Sequence, residues 1–228
     1  MRCTYSYEAI NGHVIALDGG SRLLIDTGAP SSVGGVSPLV FAGKAHQTMG
    51  DYMGVASSSL GGDVGSAVDA IIGMDILGLY DLTINPASGT ITLDDDETAL
   101  AGEPIPLEEL LGIPIVTCSV RGQTFRMFFD TGAKLSYLDP EITAPFPKTG
   151  TEEDFHPGFG RFTCDVRDLP IVLGGRLLTL RVGSLPPLLR AILPMAGTSG
   201  ILGTAILKHT GICLAMRRNL MALGILGT

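Results

Sequence analysis

Two short stretches hold the residues best suited to chemistry. Leu24-Ile25-Asp26-Thr27-Gly28-Ala29 recurs as Phe128-Phe129-Asp130-Thr131-Gly132-Ala133, with the aspartates 104 positions apart. An aspartate ending a buried apolar run sits in low dielectric, where its charged form is costly unless donors meet it. The glycine after the threonine lets the backbone turn tightly and brings amides toward the carboxylate. A threonine hydroxyl turned inward can donate to the backbone of the opposite loop. If the two copies face each other across a pseudo-two-fold axis, Asp26 and Asp130 meet there. Two carboxylates so placed share a proton and hold a water between them, which is general acid–base chemistry made from like groups. One Asp-Thr-Gly arises by composition about once in several thousand residues, so it is the repetition in register that carries weight.

The elements that must position these loops repeat as well. Ala70–Leu77 (AIIGMDIL) matches Gly200–Leu207 (GILGTAIL), with Gly73 and Gly203 130 positions apart. The same offset aligns Leu82 with Ile212, Ile84 with Leu214, Ile91 with Met221 and Leu93 with Leu223. The chain reads as a tandem duplication, with an N-terminal lobe at 1–98, a linker at 99–111 and a C-terminal lobe at 112–228. The lobes are unequal: 47 residues separate Asp26 from Gly73, and 73 separate Asp130 from Gly203. Asn11-Gly12 and Gly174-Gly175, each between alternating runs, predict hairpins. The acidic, Pro- and Gly-containing stretch Asp94–Gly112 reads as solvated linker. Short helices are expected only near 75–80 and 205–210, with Asp75 as an N-cap.

Composition narrows the function. Of 228 residues 45% are hydrophobic and 17% charged, with 31 Gly and 14 Pro, as in a globular chain of short strands and tight turns. The net charge of −8 excludes a phosphate-tracking surface, so no nucleic-acid partner is expected. The densest basic spot, Met216–Arg218, reads as a solvated turn. The N-terminus lacks the apolar run of a secretory signal, and the uncharged stretch Ala191–Leu207 is broken by Pro194 and glycines. The expectation is buried strand and turn there, no membrane partner, and a cytoplasmic protein. Cys3, Cys118, Cys164 and Cys213 are widely spaced and read as free thiols, with Cys118 in the core. His13, His46, His156 and His209 are isolated, and no H-E-x-x-H occurs, so no metal is expected. G-x-S-x-G, the dinucleotide fingerprint and the phosphate loop are also missing.

The two Asp-Thr-Gly-Ala copies, followed by apolar-apolar-Gly at Ile71–Gly73 and Ile201–Gly203, resemble the pepsin/retropepsin superfamily of aspartic proteases. The resemblance covers the order of motifs in both halves and implies an all-β fold. It implies two small, pseudo-symmetric, β-barrel-like lobes of the acid-protease type, with the cleft between them. It also implies an aspartic endopeptidase with Asp26 and Asp130 as catalytic residues. Thr27, Gly28, Ala29, Thr131, Gly132 and Ala133 would support their loops. Ile72, Gly73, Leu202 and Gly203 would close ψ-shaped loops beneath them. No cofactor is implied. The partner is a peptide or protein substrate bound as an extended strand, and the expected state is a monomer, with a homodimer as the alternative.

Ala29 and Ala133 are retropepsin-like. Without a hydroxyl beside the pair its ionised form is less stabilised, which predicts an optimum around pH 4–6, less acid than that of pepsins. Pro30 and Lys134 depart from the family, which commonly places an acidic or amide residue there to meet substrate backbone. A flap is expected at Gly158, Phe159 and Gly160. In the shorter first half, Tyr52 reads either as a flap tyrosine or as a turn residue in a shortened loop. That shortening supports the rival function, a catalytically silent peptide-binding or dimerisation module on the same fold.

Overall fold

The computed structural model describes residues 1–35, 37–51, 54–158 and 160–224. The fold is all-β, with short helical turns between strands. In the first half Arg2–Ile10, His13–Asp18 and Ser21–Ile25 form an antiparallel meander. Its first turn places Asn11 and Gly12 at φ 49° and 89°, the left-handed pair that Asn-Gly favours. Leu23–Ile25 then pairs in parallel with Ala70–Ile72, while Val33–Gly34 runs antiparallel to the same strand. This crossing fixes the loop after Ile25. Asp81–Asn85 and Thr90–Asp94 complete the half.

The second half repeats the scheme. Ile105–Leu110, Ile113–Val120 and Gln123–Phe129 form a meander. Met127–Phe129 pairs in parallel with Gly200–Leu202, and Tyr137–Leu138 lies antiparallel to that strand. Ile212–Ala215 and Leu220–Leu223 follow.

One sheet runs beneath both halves, in the order Arg2–Ile10, Thr90–Asp94, Asp81–Asn85, Ile212–Ala215, Leu220–Leu223, Ile105–Leu110. At its centre Leu82 faces Leu214, Thr83 faces Cys213, and Ile84 faces Ile212. A shift of 130 residues exchanges these partners with one another, so a local two-fold axis passes between Thr83 and Cys213. A single apolar core continues through this sheet, from Ile25, Ile72 and Leu82 to Phe129, Leu202 and Leu214.

Several expectations are corrected. The segment 99–111 is not all linker: Ile105–Leu110 is the opening strand of the second half and leads into the turn at Leu111-Gly112, as Arg2–Ile10 leads into Asn11-Gly12. Ile105 and Leu107 are buried while Glu108 and Glu109 are exposed, so two of the segment's acids sit on a strand and not in a linker. Asp75 lies inside the helix Met74–Leu77, which Gly73 caps; its carboxylate instead accepts from Ser32 N–H at 2.9 Å and Ser32 Oγ at 2.6 Å. Residues 187–196 are helical, starting at Pro187 where a missing N–H costs nothing, whereas strand and turn were expected from 191 onward. Arg217 and Arg218 are not a solvated turn. Both pair with the buried Asp81, at 3.2 Å and 2.5 Å. All four cysteines are free, and burial pushes the Cys118 thiol up to about 12. Among the described residues no helix is long and apolar enough to cross a membrane.

Candidate active site

Asp26 and Asp130 each follow a central strand and are held there by a ψ-loop neighbour: Asp26 N–H donates to Ile72 C=O and Asp130 N–H to Leu202 C=O, both at 3.0 Å. Ile72 and Leu202 themselves are fully buried. Gly73 N–H donates to Ser32 Oγ at 2.9 Å, and Gly203 N–H to Ser136 Oγ at 3.2 Å. These two serines were not singled out from the sequence, although they share the 104-residue offset of the aspartates.

The threonines tie the loops to each other. Thr27 Oγ1 donates to Phe129 C=O at 2.8 Å and accepts from Thr131 N–H at 3.0 Å. Thr131 Oγ1 donates to Ile25 C=O at 2.7 Å and accepts from Thr27 N–H at 3.0 Å. All four groups are buried, so neither loop can shift without leaving polar atoms unpaired.

Within each loop one carboxylate oxygen takes two amides. Asp26 Oδ1 accepts from Gly28 and Ala29 N–H at 2.9 and 3.1 Å; Asp130 Oδ1 accepts from Gly132 and Ala133 N–H at 2.8 and 3.2 Å. The two carboxyls are brought together, each packed on the glycine of the other's loop. They are half-buried, opening upward to a cleft and surrounded by protein elsewhere. Burial raises the pKa of Asp26 against the pull of its amide donors. Asp130 is raised well above the carboxylate range, by burial first and then by the charge of Asp26. The pair therefore holds a proton where a lone aspartate would have lost it.

The cleft above encloses about 150 Å³. Leu24, Val33, Leu60, Val64 and Ile71 make an aliphatic wall from the first half. Tyr137, Phe162, Leu189 and Ile201 form the wall of the second. A hairpin of Gly150–His156 and the strand beginning at Gly160 roofs it, with Asp154, Phe155, His156 and Pro157 facing the cleft. Gly158 and Gly160 shape the hairpin's tip and do not line the cleft; Phe159 and Tyr52 lie outside the described residues. In the first half no hairpin takes the matching place among the described residues. The turns Ser57–Leu60 and Gly61–Val64 stand there, presenting Leu60, Asp63 and Val64. Asp63 reaches the roof through Arg161 at 2.7 Å.

Sequence reasoning missed the polar residues at one end of the cleft. Tyr137 hydroxyl donates to Asp154, and burial of the phenol first, then the charge of Asp154, push its pKa up. Lys134 bonds the carbonyl of Glu153 and lies 4.0 Å from the Asp154 carboxylate. His13 borders the same end, although it is isolated in sequence. Only its place at the start of a strand whose alternate residue Ile15 packs with the cleft wall would have flagged it. Among the described residues, three groups close enough to hold a metal occur at Asp94, Asp95 and Asp96. There Asp95 already pairs with the N-terminal ammonium and Lys44.

No family model and no curated protein matches the sequence. Among solved structures the chain is similar to the solution structure of simian foamy virus (mac) protease, at 16% identity and a TM-score of 0.30, over 39% of this chain and 86% of that one.

Proposed function

We propose that the protein is an aspartic endopeptidase that hydrolyses extended peptides with a water activated between Asp26 and Asp130. The observation that carries this reading is the pair of carboxyls brought together at the cleft floor by two interlocked loops, both with raised pKa. In the proton-sharing state one aspartate is ionised and takes a proton from the water as its oxygen attacks the peptide carbonyl. The protonated partner gives its proton to the carbonyl oxygen, leaving a neutral tetrahedral diol. Collapse of the diol breaks the C–N bond: the proton taken from the water passes to the leaving amine, and one diol hydroxyl returns its proton to the aspartate that had given one up, which restores the starting state. The chemistry needs no cofactor. Each half brings one carboxyl, so a single chain suffices, and the hairpin 150–160 acts as the one flap.

The rival reading is a silent peptide-binding module. It is favoured by the Arg161–Asp63 contact, which holds the roof down over the pair. The deciding experiment is cleavage of a diverse peptide mixture from pH 3 to 8 by the natural protein, Asp26→Asn and Asp130→Asn. A bell-shaped activity that each substitution lowers by about 10³-fold or more supports the enzyme. Three folded and equally inert proteins would leave the binding module.

A further inference from the structure

His13 is a buried titratable group at the cleft that the mechanism above does not use. It follows the turn Asn11-Gly12, which is pinned to the opposite half. Gly12 C=O accepts from Thr204 Oγ1 at 2.5 Å, and a Cβ on Gly12 would fall 2.8 Å from Cβ of Lys134. The imidazole is therefore placed by contacts from both halves. It borders the cleft and is only 9% exposed.

The ring's two nitrogens differ. The backbone of Gly132, in the Asp130 loop, favours the protonated ring, as a carbonyl facing a ring N–H does. Nδ1 is buried with no hydrogen-bond partner among the described residues, so the tautomer that leaves no buried donor unpaired carries its proton on Nε2. The neutral ring then presents a bare lone pair on Nδ1. Burial lowers the His13 pKa, which favours this neutral form. The neighbouring donors are committed elsewhere: Tyr137 hydroxyl to Asp154, and Lys134 ammonium to Glu153 C=O and Asp154. A dry acceptor beside a cleft, with Tyr137 and Lys134 both turned to other acceptors, is completed by something that enters beneath the roof. An extended peptide carries such donors at every residue, as main-chain N–H groups.

We propose that Nδ1 of His13 is a substrate-binding acceptor, taking a hydrogen bond from a main-chain N–H of the peptide at the Lys134–Asp154 end of the cleft. This deepens the peptidase reading and rests on it. The second half supplies no equivalent: Ile113 follows the matching turn Leu111-Gly112. The two ends of a bound peptide are thus held differently, which gives the cleft a direction.

The test uses three variants and one probe. His13→Asn keeps an acceptor near Nδ1, His13→Gln keeps a donor near Nε2, and His13→Phe keeps the ring's bulk with neither. The probe is an acetylated pentapeptide of Val, Leu and Phe in which a secondary alcohol replaces the carbonyl at the cleavage point. Its affinity is measured by calorimetry, alongside KM and kcat for a cleaved peptide. The wild type and His13→Asn are expected to bind within about 3-fold of each other. His13→Gln and His13→Phe should bind about 10-fold more weakly, as for loss of one hydrogen bond, with the change in KM and not in kcat. N-methylation of one amide should weaken binding to the wild type but not to His13→Phe. Retention by His13→Gln with loss in His13→Asn would make the residue a prop for Gly132 and overturn the proposal. Equal binding by all the variants would mean that water serves Nδ1, and would overturn it too. A wild type that neither cleaves peptides nor binds the probe removes the peptidase reading and this inference together.

Discussion

Gly28 faces the carboxyl of Asp130 across the local axis so closely that a Cβ on it would fall 2.3 Å from Cγ; a Cβ on Gly132 would fall 2.5 Å from Oδ1 of Asp26. Each half's glycine makes room for the other half's acid. Alanine at either position must push the two carboxyls apart or displace a loop that the threonines hold. A misplacement of about 1 Å costs roughly 100-fold in a reacting geometry. Gly28→Ala is therefore predicted to lower kcat by about that factor while circular dichroism still reports the native fold. An unchanged kcat in the folded variant would show that Asp26 and Asp130 are not the reacting pair.

The threonine exchange predicts a stability effect. Thr27→Val keeps the shape but strands the Phe129 carbonyl and the Thr131 amide, both buried partners of its hydroxyl. At about 1–3 kcal/mol for each stranded group the loss should be about 2–5 kcal/mol in urea unfolding. Thr27→Ser keeps the hydroxyl and should recover most of it. A valine variant within about 0.5 kcal/mol of wild type would mean that the loops are held by packing alone.

What the sequence disclosed here was whatever repeats. The paired Asp-Thr-Gly-Ala loops and the ψ-loop strands follow from residues at constant offsets; the pairing of Leu82 with Leu214 and Ile84 with Ile212 obeys the same offset but was not legible from it. Ser32 and Ser136 were equally legible by that rule and were passed over because a lone serine suggests no chemistry. Where the halves diverge, the pattern fails. Leu60 and Asp63 on one side, Asp154 and Leu189 on the other, come from segments with no counterpart, and pairing across the cleft is long-range. Asp81 needed two arginines 136 and 137 residues away, which no local reading supplies. Ile105–Leu110 was hidden because exposed glutamates on a strand and in a linker look alike.

The raised acids predict how stability changes with pH. Both folded-state pKa values lie above the ordinary aspartate value of 3.8. The folded chain therefore keeps protons that the unfolded chain has released. Their contribution is fully present below the unfolded pKa and is lost as pH rises through the folded values. Asp130→Asn removes the repulsion between the two acids. Its melting temperature relative to wild type is thus predicted to rise between pH 4 and pH 7. A difference that stays flat or falls over that window would show that the two carboxyls do not share a proton.

The roof has its own prediction. Arg161 is 67% exposed, so its contact with Asp63 should contribute less than about 1 kcal/mol to global stability. Its local effect is larger, because it joins the hairpin of one half to the Gly61–Val64 turn of the other. Phe155 adds a second tie by packing against the cluster of Leu60 and Val64. Arg161→Gln should therefore leave urea unfolding unchanged within about 0.5 kcal/mol. Proteolytic nicking at residues 157–160 should become roughly 3- to 10-fold faster, since local opening is governed by few contacts. Raising salt from about 0.05 M to 1 M should speed nicking of the wild type and not of the variant, because only the ionic tie is screened. Equal nicking at both salt concentrations in both proteins would assign the closed roof to Phe155 alone, and Phe155→Ala would then be the variant that opens it.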